Sequence, residues 1–130
     1  MSTPEVEAVL AWHEALNAGD RERLAALSHP EVEVGGPRGG ARGRRVLEKW
    51  VGRANIRLEP LRLYGRGPTV VVEERATWRD ARTGELTGEA TVATVFGLDG
   101  NLVAGVFRHD HLEEALGSAG LGASDAIKPE

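Results

Sequence analysis

Residues 69–109 read TVVVEERATWRDARTGELTGEATVATVFGLDGNLVAGVFRH. Thr69–Arg79, Glu85–Leu98 and Leu102–His109 are rich in Val, Thr and other strand-forming residues and read as β-strands. Asp80 to Gly84 reads as a loop. Asp99-Gly100 is a tight-hairpin signal, because both turn positions tolerate positive φ. The stretch therefore predicts consecutive antiparallel strands. Ile56 to Tyr64 adds another strand ahead of them, joined through the turn Gly65-Arg66-Gly67-Pro68.

Upstream the period is helical. Val6, Val9, Leu10, His13 and Leu16 mark the inward stripe of a first helix. Ser2 or Thr3 caps it, Pro4 suits its first turn and Glu5 lies at capping-box distance from Ser2. Asn17-Ala18-Gly19 ends it, and Asp20 caps a second short helix that stops at His29-Pro30. Val32 and Val34 suggest a short strand. Glycine and proline punctuate Gly35–Gly43 (GGPRGGARG) too densely for a regular element. Val46, Leu47, Trp50 and Val51 predict a third helix. After the last strand, Asp110 is expected to cap a short helix through Leu112, Ala115 and Leu116. Residues 117–130 read as a loosely held tail behind a domain of residues 1–116.

Helices first and an antiparallel meander afterwards predict an α+β domain, with a curved, cone-shaped sheet wrapped on the N-terminal helices. The 130 residues suit one domain. The chain has no cysteine, which excludes disulfides and thiolate metal sites. A formal net charge of −4 argues against generic nucleic-acid binding. The opening MSTPEVEAVLAWHEAL lacks a basic, apolar leader, and no apolar run reaches membrane-spanning length. A cytoplasmic protein with no membrane partner is expected.

The NAGD end of the first helix, the HPEVEV strand entry, the glycine-rich lead into RRVLEKWV and the LDGNLV hairpin resemble the SnoaL-like branch of the NTF2-like, ketosteroid-isomerase-like superfamily. The likeness runs from Met1 to Leu116 and implies the cystatin-like α+β roll. The fold hosts isomerases, cyclases, dehydratases, hydrolases and binding modules, so it implies no single reaction. In ketosteroid isomerases a first-helix tyrosine holds the oxyanion; the matching position here is Trp12. The catalytic base precedes a Pro-x-Gly; here Gly36 stands before Pro37-Arg38-Gly39. The second oxyanion donor maps to Glu89 without a gap, or to Thr91 with one. Steroid-isomerase chemistry is therefore not expected.

Trp12, Trp50 and Trp78 are candidate walls of an apolar pocket, and equally candidates for core packing. His13, on the inward stripe, is a candidate proton carrier or a hydrogen-bonded core residue. Glu74 interrupts the apolar row Val70, Val72, Ala76, Trp78, where a carboxylate has acid–base potential. Glu89 and Arg108 share a face if the hairpin turn has two residues; they then form a pocket floor or a cross-strand ion pair. His109 and His111 flank Asp110, yet the adjacent residues His109 and Asp110 point to opposite faces of a strand, and no metal site is predicted. Arg38, Arg42, Arg44 and Arg45 form an acid-free run in which Arg42 is a candidate anion contact or part of a solvated loop.

These residues predict a pocket for a small apolar molecule, with no organic cofactor. If it is catalytic, acid–base isomerase, cyclase or hydrolase chemistry on a carbonyl-bearing substrate is expected, with His13, Glu74, Glu89 or His109 moving protons. The alternative is a non-catalytic ligand-binding or dimerisation module. Neither row of the last two strands is charged in its middle, and the helices can cover only one face. The other face is expected to meet a second copy in a homodimer.

Overall fold

The computed structural model describes residues 3–36, 39–47, 56–80 and 82–127. Helix α1 (Pro4–Ala18) begins where Thr3 accepts a hydrogen bond from the Val6 amide at 3.2 Å. It ends where Gly19 adopts a φ of 69°, a left-handed conformation that costs glycine little. Asp20 caps α2 (Arg21–Ala26) by accepting from the Arg23 amide at 3.1 Å. Residues 44–47 form a further helical turn. The remainder of the expected third helix, including Trp50, lies outside the described residues. No helix among the described residues is long and apolar enough to cross a membrane.

The strands are β1 (Ser28–Gly36), β2 (Gly39–Arg42), β3 (Ile56–Arg66), β4 (Thr69–Arg79), β5 (Leu86–Asp99), β6 (Leu102–His109) and β7 (Ala126–Ile127). They form one sheet in the order β2-β1-β6-β5-β4-β3-β7. Pairing is antiparallel except between β1 and β6. Helix α1 packs against β3, β4 and β6 together, so the sheet curls around it. This is the expected α+β roll. Asn17 fixes the helix to the sheet: its side-chain amide donates to the Leu58 carbonyl and accepts from the Leu58 amide, each at 2.8 Å.

Alternation assigns the two faces. Val70, Val72 and Ala76 of β4, Val92 and Phe96 of β5, and Val103 and Val106 of β6 are buried with Val6, Val9, Trp12 and Leu16 of α1. On the other face, Val71 and Ala93 are buried with Tyr64 and Ala115. Ala115 belongs to α3 (Leu112–Ala119), which lies across that outer face. The helix thus covers Val71 and Ala93 of the face assigned in the sequence to a second copy, while Phe107 of that face stays 37% exposed. Elsewhere the outer face carries Arg62 beside Glu73 at 3.1 Å and Arg75 beside Glu89 at 3.5 Å.

Four local readings change. The glycine-rich stretch forms a hairpin, with Glu33 opposite Arg42, Val34 opposite Ala41, Gly35 opposite Gly40 and Gly36 opposite Gly39. Ladder hydrogen bonds need only backbone, and an Arg42–Glu33 ion pair at 2.7 Å closes it. A Cβ on Gly40 would stand 2.8 Å from the Val34 carbonyl oxygen, so glycine is required there. Second, the Asp99–Leu102 turn does have two residues, but the register then slips: Leu98 faces Val103, while Gly97 faces Gly105. Ala104 is the extra residue of a bulge, and a one-residue slip exchanges faces. Third, His111, not Asp110, occupies the α3 N-cap, with no side-chain cap bond.

Fourth, the segment read as a tail is tied down. Helix α3 runs on to Ala119, and β7 pairs Ile127 with Leu63 and Ala126 with Tyr64. Arg66 donates to both carboxylate oxygens of Asp125 at 2.8–3.2 Å. The Gly122 amide donates to the same carboxylate at 2.9 Å. These bonds, the Gly122 amide foremost and Arg66 after it, hold the Asp125 carboxyl below its ordinary pKa.

Candidate functional site

The inward rows of β4 and β5 bring one acid into the core. Glu74 follows Val70 and Val72 at strand spacing, and its side chain is fully buried. An unpaired carboxylate there would be expensive. Both of its oxygens are occupied. Thr94 of β5, itself buried, donates its hydroxyl to Glu74 Oε1 at 2.5 Å. His13 of α1 meets Oε2 through Nε2. The opposite ring nitrogen, Nδ1, lies 2.8 Å from the Val9 carbonyl oxygen. A carbonyl only accepts, so Nδ1 carries hydrogen. One further proton then lies between Nε2 and Oε2, and the pair is neutral overall whichever partner holds it. That neutrality explains how an acid and an imidazole share an apolar core.

Above Thr94 lies a cavity of about 460 Å³. Its described lining is mostly aliphatic: Val34, Val46, Ile56, Leu58, Ala76 and Val106. Trp78, Thr94 and Arg108 are its described side chains with hydrogen-bonding groups. Thr94 and Arg108 face each other directly across β5 and β6. The indole of Trp78 lies over Gly88, its cross-strand neighbour, where a Cβ would come within 3.2 Å of the ring. Thr94 is therefore the contact between the cavity and the buried Glu74–His13 pair. With its proton committed to Glu74, its oxygen offers lone pairs to an occupant.

The sequence candidates separate on this geometry. Trp78 and Arg108 line the cavity. Trp12 is fully buried and belongs to the core: its indole N–H donates to Ser28 Oγ at 3.1 Å, and its ring packs edge-on to Phe96 at 5.3 Å. Glu89 pairs with Thr77 on the outward row and is half exposed beside Arg75. It does not share a face with Arg108, because the Ala104 bulge turns Arg108 inward. Thr91, the other position matched to an oxyanion donor, is likewise exposed. Gly36 does line the cavity, but brings no side chain.

His109 faces outward opposite Ala93. It lines a second, more open cleft of about 670 Å³ with Glu33, Arg42, Phe107, Arg108, Asp110 and Glu114. Arg42 is paired to Glu33, and Arg44 donates to the Ser28 carbonyl at 2.8 and 3.1 Å. Among the described residues no group of three or more His, Asp or Glu is placed to hold a metal ion. Sequence reasoning did not foresee that His13 and Glu74 meet, or that Thr94 joins them. The signal was present: an acid, a hydroxyl and an imidazole each stood on an otherwise apolar inward row.

A family model described as a SnoaL-like domain matches residues 9–106. No curated protein matches the chain significantly. Several solved structures share its fold. An NTF2-like protein of unknown function from Cytophaga hutchinsonii is 12% identical, with a TM-score of 0.70 over 88% of this chain and 95% of that one. TerC, co-crystallised with polyporic acid, is 18% identical, with a TM-score of 0.72 over 86% and 95%. A Catenulispora acidiphila protein of ketosteroid isomerase-like fold, in complex with trimethylamine, is 20% identical, with a TM-score of 0.68 over 95% and 98%.

Proposed function

Given that this chain belongs to the SnoaL-like domain family, we propose that it binds a small apolar, carbonyl-bearing molecule in the 460 Å³ cavity and moves a proton at its floor. One observation carries this reading. Thr94 lines the cavity and also donates to Glu74, whose other oxygen meets His13. A proton accepted by the Thr94 oxygen is balanced by the Thr94 proton passing to Glu74 Oε1; the reverse sequence returns it. Arg108, opposite Thr94, is placed to meet negative charge developing on a carbonyl oxygen. The reaction class is acid–base chemistry next to a carbonyl, with Thr94 as the contact and Glu74–His13 as the proton reservoir. The small-molecule complexes of TerC and of the Catenulispora protein support an occupant of modest size.

A second reading is binding without chemistry. It is favoured by the lack of any carboxylate or imidazole among the described lining residues, and by Gly36 at the position of the isomerase base. Deuterium exchange at the methyl group of 2-acetylnaphthalene, followed by NMR in D₂O, separates the two. The catalytic reading expects exchange faster with the protein than without it. It also expects the acceleration to fall at least roughly tenfold in Glu74→Gln, which keeps the shape and hydrogen-bonding capacity of the site. Binding without accelerated exchange would leave only the second reading.

A further inference from the structure

Arg108 is the one cationic side chain among the described residues that line the cavity, and no described residue forms an ion pair with it. It makes no hydrogen bond, ion pair or ring contact with any described residue, although it also borders the outer cleft, where Glu33, Asp110 and Glu114 stand. Glu33 is committed to Arg42 at 2.7 Å. Glu74, the buried acid bonded to Thr94, already has Thr94 on one oxygen and His13 on the other. The Trp78 indole N–H likewise has no partner among the described residues. A partly buried guanidinium beside an apolar hollow keeps its hydration poorly, and its planar N–H fork matches a carboxylate.

We infer that the natural ligand of this cavity is an organic anion: a molecule with an apolar, ring-like body and a carboxylate held by Arg108. The inference rests on the cavity reading above and narrows it from apolar carbonyl compounds to acids. The body lies against Ile56, Leu58 and Trp78, and the carboxylate sits at the Arg108 end. The Thr94 oxygen next to it is left to accept a hydrogen from the same ligand. A neutral molecule of equal shape fills the hollow but leaves Arg108 without a counter-charge.

The test uses matched probes on the full chain: 2-naphthoate, the neutral 2-naphthamide and the cationic 2-naphthylmethylammonium. Titration is followed by tryptophan fluorescence and by thermal shift. The expected result is that 2-naphthoate binds at least tenfold more tightly than 2-naphthamide, and that the ammonium binds weakest. In Arg108→Gln the preference for naphthoate over naphthamide disappears, and in Arg108→Lys part of it returns. Intermolecular NOEs from naphthoate to the Ile56 and Leu58 methyl groups place it in the inner cavity. NOEs to the Phe107 ring alone would place it in the outer cleft and overturn the inference. Equal affinity for naphthoate and naphthamide would also overturn it, while leaving the cavity reading intact. If no probe binds, the cavity reading fails and the inference with it.

Discussion

The buried pair makes a prediction that can be worked from the coordinates. His13→Leu keeps an apolar side chain of similar bulk in a site that is only 2% exposed. It leaves Glu74 Oε2 without its partner, in a position with no access to water. Removing one member of a buried pair costs about 3–5 kcal/mol. For a chain of this length that corresponds to a fall in Tm of roughly 10–20 °C. Glu74→Leu is expected to cost less, about 1–3 kcal/mol, because an imidazole can remain neutral with Nδ1 still bonded to Val9. The double variant removes the polar problem altogether and is expected to be more stable than His13→Leu alone. The assay is urea unfolding by tryptophan fluorescence and circular dichroism, arranged as a double-mutant cycle. A coupling energy of about 2–3 kcal/mol is expected. Additive single effects, or a His13→Leu cost under about 1 kcal/mol, would refute the buried pair.

Other perturbations follow from single contacts. Thr94→Val preserves shape but removes the donor to Glu74 Oε1, and should cost about 1–3 kcal/mol in urea unfolding; an unchanged midpoint would contradict that bond. Gly40→Ala places a Cβ against the Val34 carbonyl at 2.8 Å, so amide exchange across residues 33–42 should quicken while the α1 amides stay protected. Asp125 has its carboxyl pKa held below 3.8 in the folded chain, chiefly by the Gly122 amide. Its contribution is therefore present above the ordinary carboxylate range and is lost as pH falls through the lowered value. Asp125→Asn should flatten the acid limb of stability against pH, and an identical acid limb would show that the contact contributes nothing.

Helices α1 and α2, strands β1 and β3 to β6, and the roll they form are legible in the sequence because periodicity reports burial directly. The inward row of β4 was visible as Val70, Val72, Ala76 and Trp78 with one misfit, Glu74. What periodicity cannot carry is a bulge. Ala104 adds one residue to β6 within an all-apolar run that leaves no mark of it, yet it moves Arg108 from the outer face to the cavity. The same slip separates Arg108 from Glu89, which the simple hairpin would have joined. Long-range partnerships were equally hidden. His13 and Glu74 lie 61 residues apart, and nothing local in either helix or strand records the other. Trp12 shows the converse: a side chain with ligand-binding potential was claimed by Ser28 and Phe96. The glycine-rich hairpin is hidden from the sequence because its ladder needs only backbone, which glycine and proline punctuation does not reveal. On the outer face α3 covers Val71 and Ala93, a contact that the pattern of the strands does not record.

Crystals grown with 2-naphthoate give the most direct trial. The account predicts density for the ring system between Ile56, Leu58 and Trp78, with the carboxylate at Arg108 and Thr94 still bonded to Glu74. Side chains of the protein occupying that space, with no room for a ligand, would contradict it.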